Sequence, residues 1–163
     1  MDYTAHYISP IGDITIASDG HALVGLWFEG QRHFADVLDD NHKECPELPI
    51  FDEVHRWLNT YFSGEVPAFT PPLLMRTTDF RKSVWQQLLT IPCGHTMTYG
   101  EIASRMGNDR NVSPRAVGGA VGHNAISLII PCHRVVGSHG SLTGYAGGID
   151  RKAWLLRWED AML

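Results

Sequence analysis

Along the first thirty residues the apolar positions fall into short β-rich runs: YTAHYIS, then DITIAS, then HALVGLWFEG. Pro-Ile-Gly-Asp divides the first two and Asp19-Gly20 the next two, so the pattern predicts strands joined by tight hairpin turns. Residues 39–49 (DDNHKECPELP) are polar with two prolines and read as a loop. The period then changes. Over Ile50–Phe62 the residues Phe51, Val54, Trp57, Leu58, Tyr61 and Phe62 make one apolar helical face, which Gly64 stops. In GEVPAFTPPLL three prolines remove backbone donors and hold their predecessors extended, so no helix continues there. The break, near residues 64–78, divides the chain into an N-terminal α/β domain over 1–70 and a mainly α domain over 71–163.

In the second part Asp79 is placed to cap FRKSVWQQLLT, whose Phe80, Val84 and Leu88 share a face. Thr98 is placed to cap Tyr99–Met106, with Glu101 completing a capping-box pattern. Polar GNDRNVS leads into PRAVGGAVG, with Pro114 at a first helical position. Two short helices around a polar turn predict a helix-turn-helix. ISLII reads as a compact buried strand that Pro131 ends, which puts Cys132, His133 and Arg134 at the mouth of a sheet. GSHGSLTGYAGG is a loop, and Asp150 is placed to cap RKAWLLRWE.

Composition narrows the class. With 163 residues, 44% hydrophobic and 10% aromatic, the chain can bury the core of one ordinary domain or two small ones. No run reaches the roughly 18 apolar residues of a membrane span, and MDYTAHYISP lacks the basic and apolar regions of a signal peptide. The three cysteines Cys45, Cys93 and Cys132 cannot all pair, which fits a reducing, cytoplasmic compartment. The net charge of −5 disfavours a polyanionic partner until it is split by position. Residues 1–80 carry −9 and residues 81–163 carry +4, so a basic half is available to nucleic acid.

The candidate chemistry begins with a repeated tripeptide. Ile-Pro-Cys occurs at Ile91–Cys93 and at Ile130–Cys132, with His95 and His133 following. A thiol becomes a nucleophile when a base or a positive field draws off its proton. His133 and Arg134 adjoin Cys132, and Glu159 on the last helix is available to orient an imidazole. Taken alone, the spacing is a weak signal, and an unpaired cysteine is more often a small buried hydrophobe. The two glycines inside PRAVGGAVG each cost roughly 1 kcal/mol against alanine. They serve either tight helix packing or a bare surface for close approach of a bulky backbone, and Arg115 favours the second. His42-x-x-Cys45, with His33 and His55, suggests zinc but lacks clear four-ligand spacing, so no metal is expected.

PCHRVVG, preceded by RAVGGAVGHN and followed by TGYAGG and WLLRWE, resembles the O6-alkylguanine-DNA alkyltransferase family, the methylated-DNA–protein-cysteine methyltransferases. SPIGDITIASDG and LVGLWFEG resemble its bacterial form. The resemblance implies a ribonuclease-H-like α/β domain followed by a winged-helix-type, helix-turn-helix domain. It implies single-turnover repair of O6-alkylguanine, and of O4-alkylthymine, in double-stranded DNA, by a cytoplasmic monomer without a cofactor. Carried over position by position, Cys132 is the alkyl acceptor, His133 its base through a water, and Glu159 the residue that orients His133. Asn124 is a hinge, and Tyr99 gives a proton to the leaving guanine. Arg115 fills the space left by the flipped nucleotide, with Ser113, Ala116, Gly118 and Gly119 on the DNA face. Val135, Tyr145 and Ala146 line the base pocket; Ala146 replaces a serine of some members. Cys93 stands where the family usually has an aromatic residue.

Two other classes fit parts of the pattern. A cysteine hydrolase needs its histidine from elsewhere in the fold, plus an oxyanion hole. A binding-only relative lacks the acceptor cysteine, which here is intact.

Overall fold

The computed structural model describes residues 1–107 and 112–163 and forms two compact units. The first comprises Met1–Arg76 with Ala125–Ser127 and Met162; the second comprises Thr77–Asn124 with Leu128–Ala161 and Leu163.

The first unit is a four-stranded sheet with one helix. Strands β1 (Asp2–Ser9), β2 (Gly12–Ser18) and β3 (Leu23–Phe28) form an antiparallel meander, and β4 (His42–Glu44) adds parallel to β1, giving the order β3-β2-β1-β4. β3 is buried throughout, which is why LVGLWF shows no alternation. The outer edge of β3 is covered by backbone: Leu23 bonds Pro72 and Leu74, and Leu26 bonds Ala125 and Ser127. That pairing holds residues 71–76, within the proline-rich break, in this unit. Helix α1 (Pro49–Phe62) lies against β1 and buries Phe51, Val54, Leu58 and Tyr61. Each of those side chains contributes roughly 1.5–3 kcal/mol by leaving water.

In the second unit α2 (Asp79–Leu88), α3 (Tyr99–Met106) and α4 (Pro114–Gly122) pack together over Val84, Trp85, Leu88, Ile102, Val117 and Val121. The Trp85 indole donates to the Ala120 carbonyl at 2.9 Å, locking α2 to α4. Thr98 caps α3 and Ser113 caps α4, accepting from the Glu101 and Ala116 amides at 3.0 and 3.1 Å. Residues 108–111 of the polar turn expected between α3 and α4 lie outside the described residues. Strands β5 (Met97–Thr98) and β6 (Val135–Val136) pair in parallel, and α5 (Ile149–Ala161) closes the unit.

Several local expectations are corrected. ISLII is not a strand: only Ile126 bridges, to Leu26, and Leu128 turns the chain with φ 69°. A short apolar run signals burial without specifying extension. Within 39–49, His42–Glu44 is an edge strand exposed on both faces, so it carries no alternation to read. The β2–β3 connection is a four-residue turn, in which the Asp19 carboxylate accepts from the His21 and Ala22 amides, and not a two-residue hairpin. The cap of α2 is Thr78, with Asp79 one residue inside. The first bond of α5 runs from the Lys152 amide to the Gly148 carbonyl, leaving Asp150 in the first turn.

Candidate active site

Pro131 leads into a single 3-10 turn, Cys132–Arg134, that continues directly into β6. At three residues per turn, consecutive side chains diverge by about 120°, so Cys132, His133 and Arg134 face different surroundings. Cys132 and His133 are 3% and 0% exposed: they lie inside the unit, not at the mouth of a sheet.

His133 Nε2 is 2.6 Å from Glu159 Oε2, and Glu159 is 1% exposed. Arg134 grips the same carboxylate with two nitrogens, Nε to Oε1 at 2.7 Å and Nη2 to Oε2 at 3.0 Å. Its third, Nη1, donates to the Ile91 carbonyl at 2.7 Å. Burial pushes the Glu159 carboxyl up, but hydrogen bonds and charges from His133 and Arg134 outweigh it and hold the group well below the usual carboxylate range. Burial lowers the His133 pKa against the pull of Glu159, so the imidazole is neutral. A neutral ring that donates from Nε2 presents a lone pair at Nδ1, and that buried atom has no hydrogen-bond partner among the described residues.

Burial also raises the Cys132 thiol pKa, opposed by a hydrogen bond from Asn124 and the positive charge of Lys152. The resting group is therefore a thiol, and its thiolate is favoured only once a base takes the proton. Arg134, expected beside the sulfur, is turned to Glu159 instead. Asn124, just past α4, donates to the Ile130 carbonyl at 2.9 Å and so joins that helix to the cysteine turn. Tyr99 Oη donates to the Thr143 carbonyl at 3.2 Å; burial raises its pKa, which keeps the hydroxyl protonated.

Helix α4 presents Arg115, Ala116 and Gly119 to solvent. A Cβ built at Gly119 meets nothing within 4 Å, and one at Gly118 makes only ordinary 3.8 Å contact with the Tyr99 ring. Tight packing does not demand these glycines, which leave this part of the helix surface without side chains. Ser113 is exposed with its hydroxyl engaged in the cap. Val135 is buried in β6, Tyr145 is 6% exposed, and Ala146 beside it is half-buried. The Tyr145 ring is seated over Gly147, where a Cβ would come within 2.5 Å of it.

The other copy has different surroundings. Cys93 is half-buried, its pKa raised by burial and then by the Glu159 charge, and exposed His95 turns its Nδ1 toward the Cys93 carbonyl at 3.3 Å. The N-terminal His and Cys residues do not converge: among the described residues no three His, Cys, Asp or Glu are grouped to hold a metal. Cys45 donates to Glu47, and His42 to the Asp39 carbonyl. No helix among the described residues is long and apolar enough to cross a membrane.

The sequence reading missed Lys152. It is 0% exposed, donates to the Thr143 carbonyl at 2.9 Å, and has a pKa lowered by burial. The buried stripe of α5 is Lys152, Leu155 and Glu159, positions i, i+3 and i+7. Two charges on that stripe hide it from hydrophobic periodicity, yet ionic residues in register with one leucine were a usable signal.

Residues 79–161 match the family described as 6-O-methylguanine DNA methyltransferase, DNA binding domain, and residues 3–75 match its ribonuclease-like domain. A methylated-DNA–protein-cysteine methyltransferase of Haemophilus influenzae is 43% identical over 158 residues, 96% of this chain and 86% of that protein. One from Mycobacterium tuberculosis is 45% identical over 152 residues, 93% of this chain and 88% of its own length. The crystal structure of the M. tuberculosis protein in complex with DNA superposes with a TM-score of 0.88 at 42% identity, covering 98% of this chain and 94% of that one.

Proposed function

The chain belongs to the 6-O-methylguanine DNA methyltransferase family, and we propose that Cys132 is the residue on which the transferred alkyl group ends. Its activity is direct-reversal DNA repair by alkyl transfer to a cysteine of the protein. The observation that supports Cys132 is the buried His133–Glu159 pair on the residue that follows it, which leaves the His133 Nδ1 lone pair unused.

The thiol proton of Cys132 passes through a water to His133 Nδ1, and Glu159 stabilises the resulting imidazolium. The sulfur attacks the alkyl carbon, the bond from that carbon to O6 breaks, and its electron pair stays with guanine. Guanine then takes a proton from Tyr99. Lys152 and the Asn124 amide favour the thiolate while it exists. The product is a thioether, and each molecule reacts once.

The substrate is alkylated double-stranded DNA, with O4-alkylthymine as a second lesion. Flipping the nucleotide is required because the alkyl carbon lies inside the stack. Arg115 enters the space it leaves, while Ser113, Ala116, Gly118 and Gly119 form the face toward the DNA backbone. Val135, Tyr145 and Ala146 receive the base; Ala146 has no hydroxyl, so a backbone N–H serves the guanine oxygen. The protein works as a cytoplasmic monomer without a cofactor.

Incubation with a duplex carrying one O6-methylguanine tests this. Intact mass should show one methyl added per molecule, and peptide mapping should place it on Cys132. Repaired DNA accumulating well past one equivalent of protein would overturn the single-turnover reading.

A further inference from the structure

With Cys132 as acceptor and His133 as its base, we propose that Arg134 is a positioning residue for the transfer: it fixes Glu159 against His133 and supplies the buried cation that leaves His133 free to take a proton. All three guanidinium nitrogens are committed, two to the two oxygens of Glu159 and one to the Ile91 carbonyl. The first Ile-Pro-Cys segment thus braces the relay of the second. A planar fork held at three points fixes the carboxylate in rotation as well as position.

Charge balance gives Arg134 its second part. At rest the ion pair of Arg134 and Glu159 is neutral, and so are His133 and the Cys132 thiol. After proton transfer the thiolate and imidazolium cancel, and the cluster is neutral again. Without Arg134 the buried carboxylate would lose the cation that holds both of its oxygens, and removing one partner of a buried ion pair is strongly unfavourable. The nearest remedy is a proton on His133, which removes the base before the reaction begins. The other charged or titratable groups facing this cluster leave that conclusion intact. The charge of Lys152 acts on both Cys132 and His133 and opposes a proton on His133, whereas Asp160 acts on Cys93, whose thiol lies against Arg134.

Single-turnover transfer to wild type, Arg134→Gln and Arg134→Lys, measured from pH 5.5 to 9.5 on one methylated duplex, tests the assignment. In Arg134→Gln the rate at neutral pH should fall about a hundredfold, the scale of a lost general base. Its acid limb should move to higher pH, and much of the rate should return under alkaline conditions as His133 releases its proton. Arg134→Lys should keep the wild-type limb, because the charge is retained, and lose rate uniformly, because the bidentate grip is gone. A loss in Arg134→Gln that is the same at every pH, or a limb displaced equally in both variants, would overturn the proposal. The wild-type protein supplies a check that needs no variant: imidazole 15N spectra at pH 7 should show neutral His133 protonated at Nε2. An imidazolium there would also overturn it. Mapping the methyl in the same reactions separates the two readings. A methyl away from Cys132 removes the assignment beneath this proposal, whereas a methyl on Cys132 with pH-indifferent Arg134→Gln kinetics removes this proposal alone.

Discussion

His133 Nε2 and Glu159 Oε2 lie 2.6 Å apart where neither side chain meets solvent, across 26 residues of sequence. Such a pair acts as one device: the carboxylate fixes the tautomer, and the tautomer aims the lone pair. We expect His133→Ala and Glu159→Gln each to slow transfer by roughly 10²–10⁴-fold. The double variant should be little slower than the worse single one, since a broken relay cannot be broken twice. Single-turnover rates of the three variants decide it, and losses that multiply would mean the two residues act separately.

Acid should destabilise the protein in two stages. His133 has a folded pKa below its unfolded value of about 6.5, so the unfolded chain binds the proton first and stability falls as pH drops past that point. Glu159 and Asp2 have depressed pKa values; their contribution is complete above about 4.5 and is lost as pH falls toward their folded values. Urea midpoints at pH 7.5, 5.5 and 4 should therefore drop twice, the second time more steeply. A midpoint unchanged between pH 7.5 and 5.5 would show that His133 is not held neutral.

In the first unit the Asp2 carboxylate, 1% exposed, takes both terminal nitrogens of Arg76 at 2.6 and 2.8 Å and the Asp39 amide at 2.8 Å. Arg76→Ala leaves that carboxylate buried without its cation. The expected loss is roughly 3 kcal/mol, the low end for a broken buried pair because Arg76 is partly open to water. Asp2→Asn/Arg76→Ala should recover part of it, as equilibrium denaturation would show. A single variant within 0.5 kcal/mol of wild type, the scale of an ordinary surface change, would mean water replaces the pair at no cost.

Much of this was legible in the sequence, for identifiable reasons. Helix α1 and the caps at Thr98 and Ser113 are written locally, in side-chain period and hydroxyl position. Strand β4 and the turn at Leu128 are not, because their partners lie far away in sequence and their own residues are uniformly exposed or uniformly buried. Cys132, His133 and Glu159 were nameable through a motif. The placement of Arg134 was not, since adjacency to Cys132 suggested a thiolate partner whereas a 3-10 turn points the two side chains apart. Lys152 was hidden because a buried lysine is rare and its helix reads as polar.

Arg115, exposed one residue into α4, should matter only where a duplex must be opened. Arg115→Ala is expected to slow repair of duplex lesions far more than transfer from the free modified base. Neutralising one phosphate-contacting Lys or Arg should lower the salt slope of binding by about one unit. Equal losses on duplex and free base would remove the flipping role from Arg115.

The two Ile-Pro-Cys copies make the sharpest comparison. Burial raises the pKa of both thiols, so neither is a ready thiolate, and reactivity must come from what surrounds each sulfur. Cys132 has the Asn124 amide and the Lys152 charge beside it, and the unused Nδ1 of His133 on the next residue. Cys93 has the negative field of Glu159, and the histidine that follows it in sequence, His95, is exposed and turned to a carbonyl. Its thiol lies against Arg134, but sulfur is a weak acceptor and three stronger bonds already hold that side chain. Cys132→Ser should therefore abolish methyl transfer and leave lesion binding, because an alcohol is far less ionised than a thiol at neutral pH. Cys93→Ala should transfer at nearly the wild-type rate, with about 1 kcal/mol lost from packing at a half-buried site. Peptide mapping after reaction, with rates for both variants, tests the assignment: a methyl on Cys93, or transfer persisting in Cys132→Ser, would reverse the roles of the two cysteines.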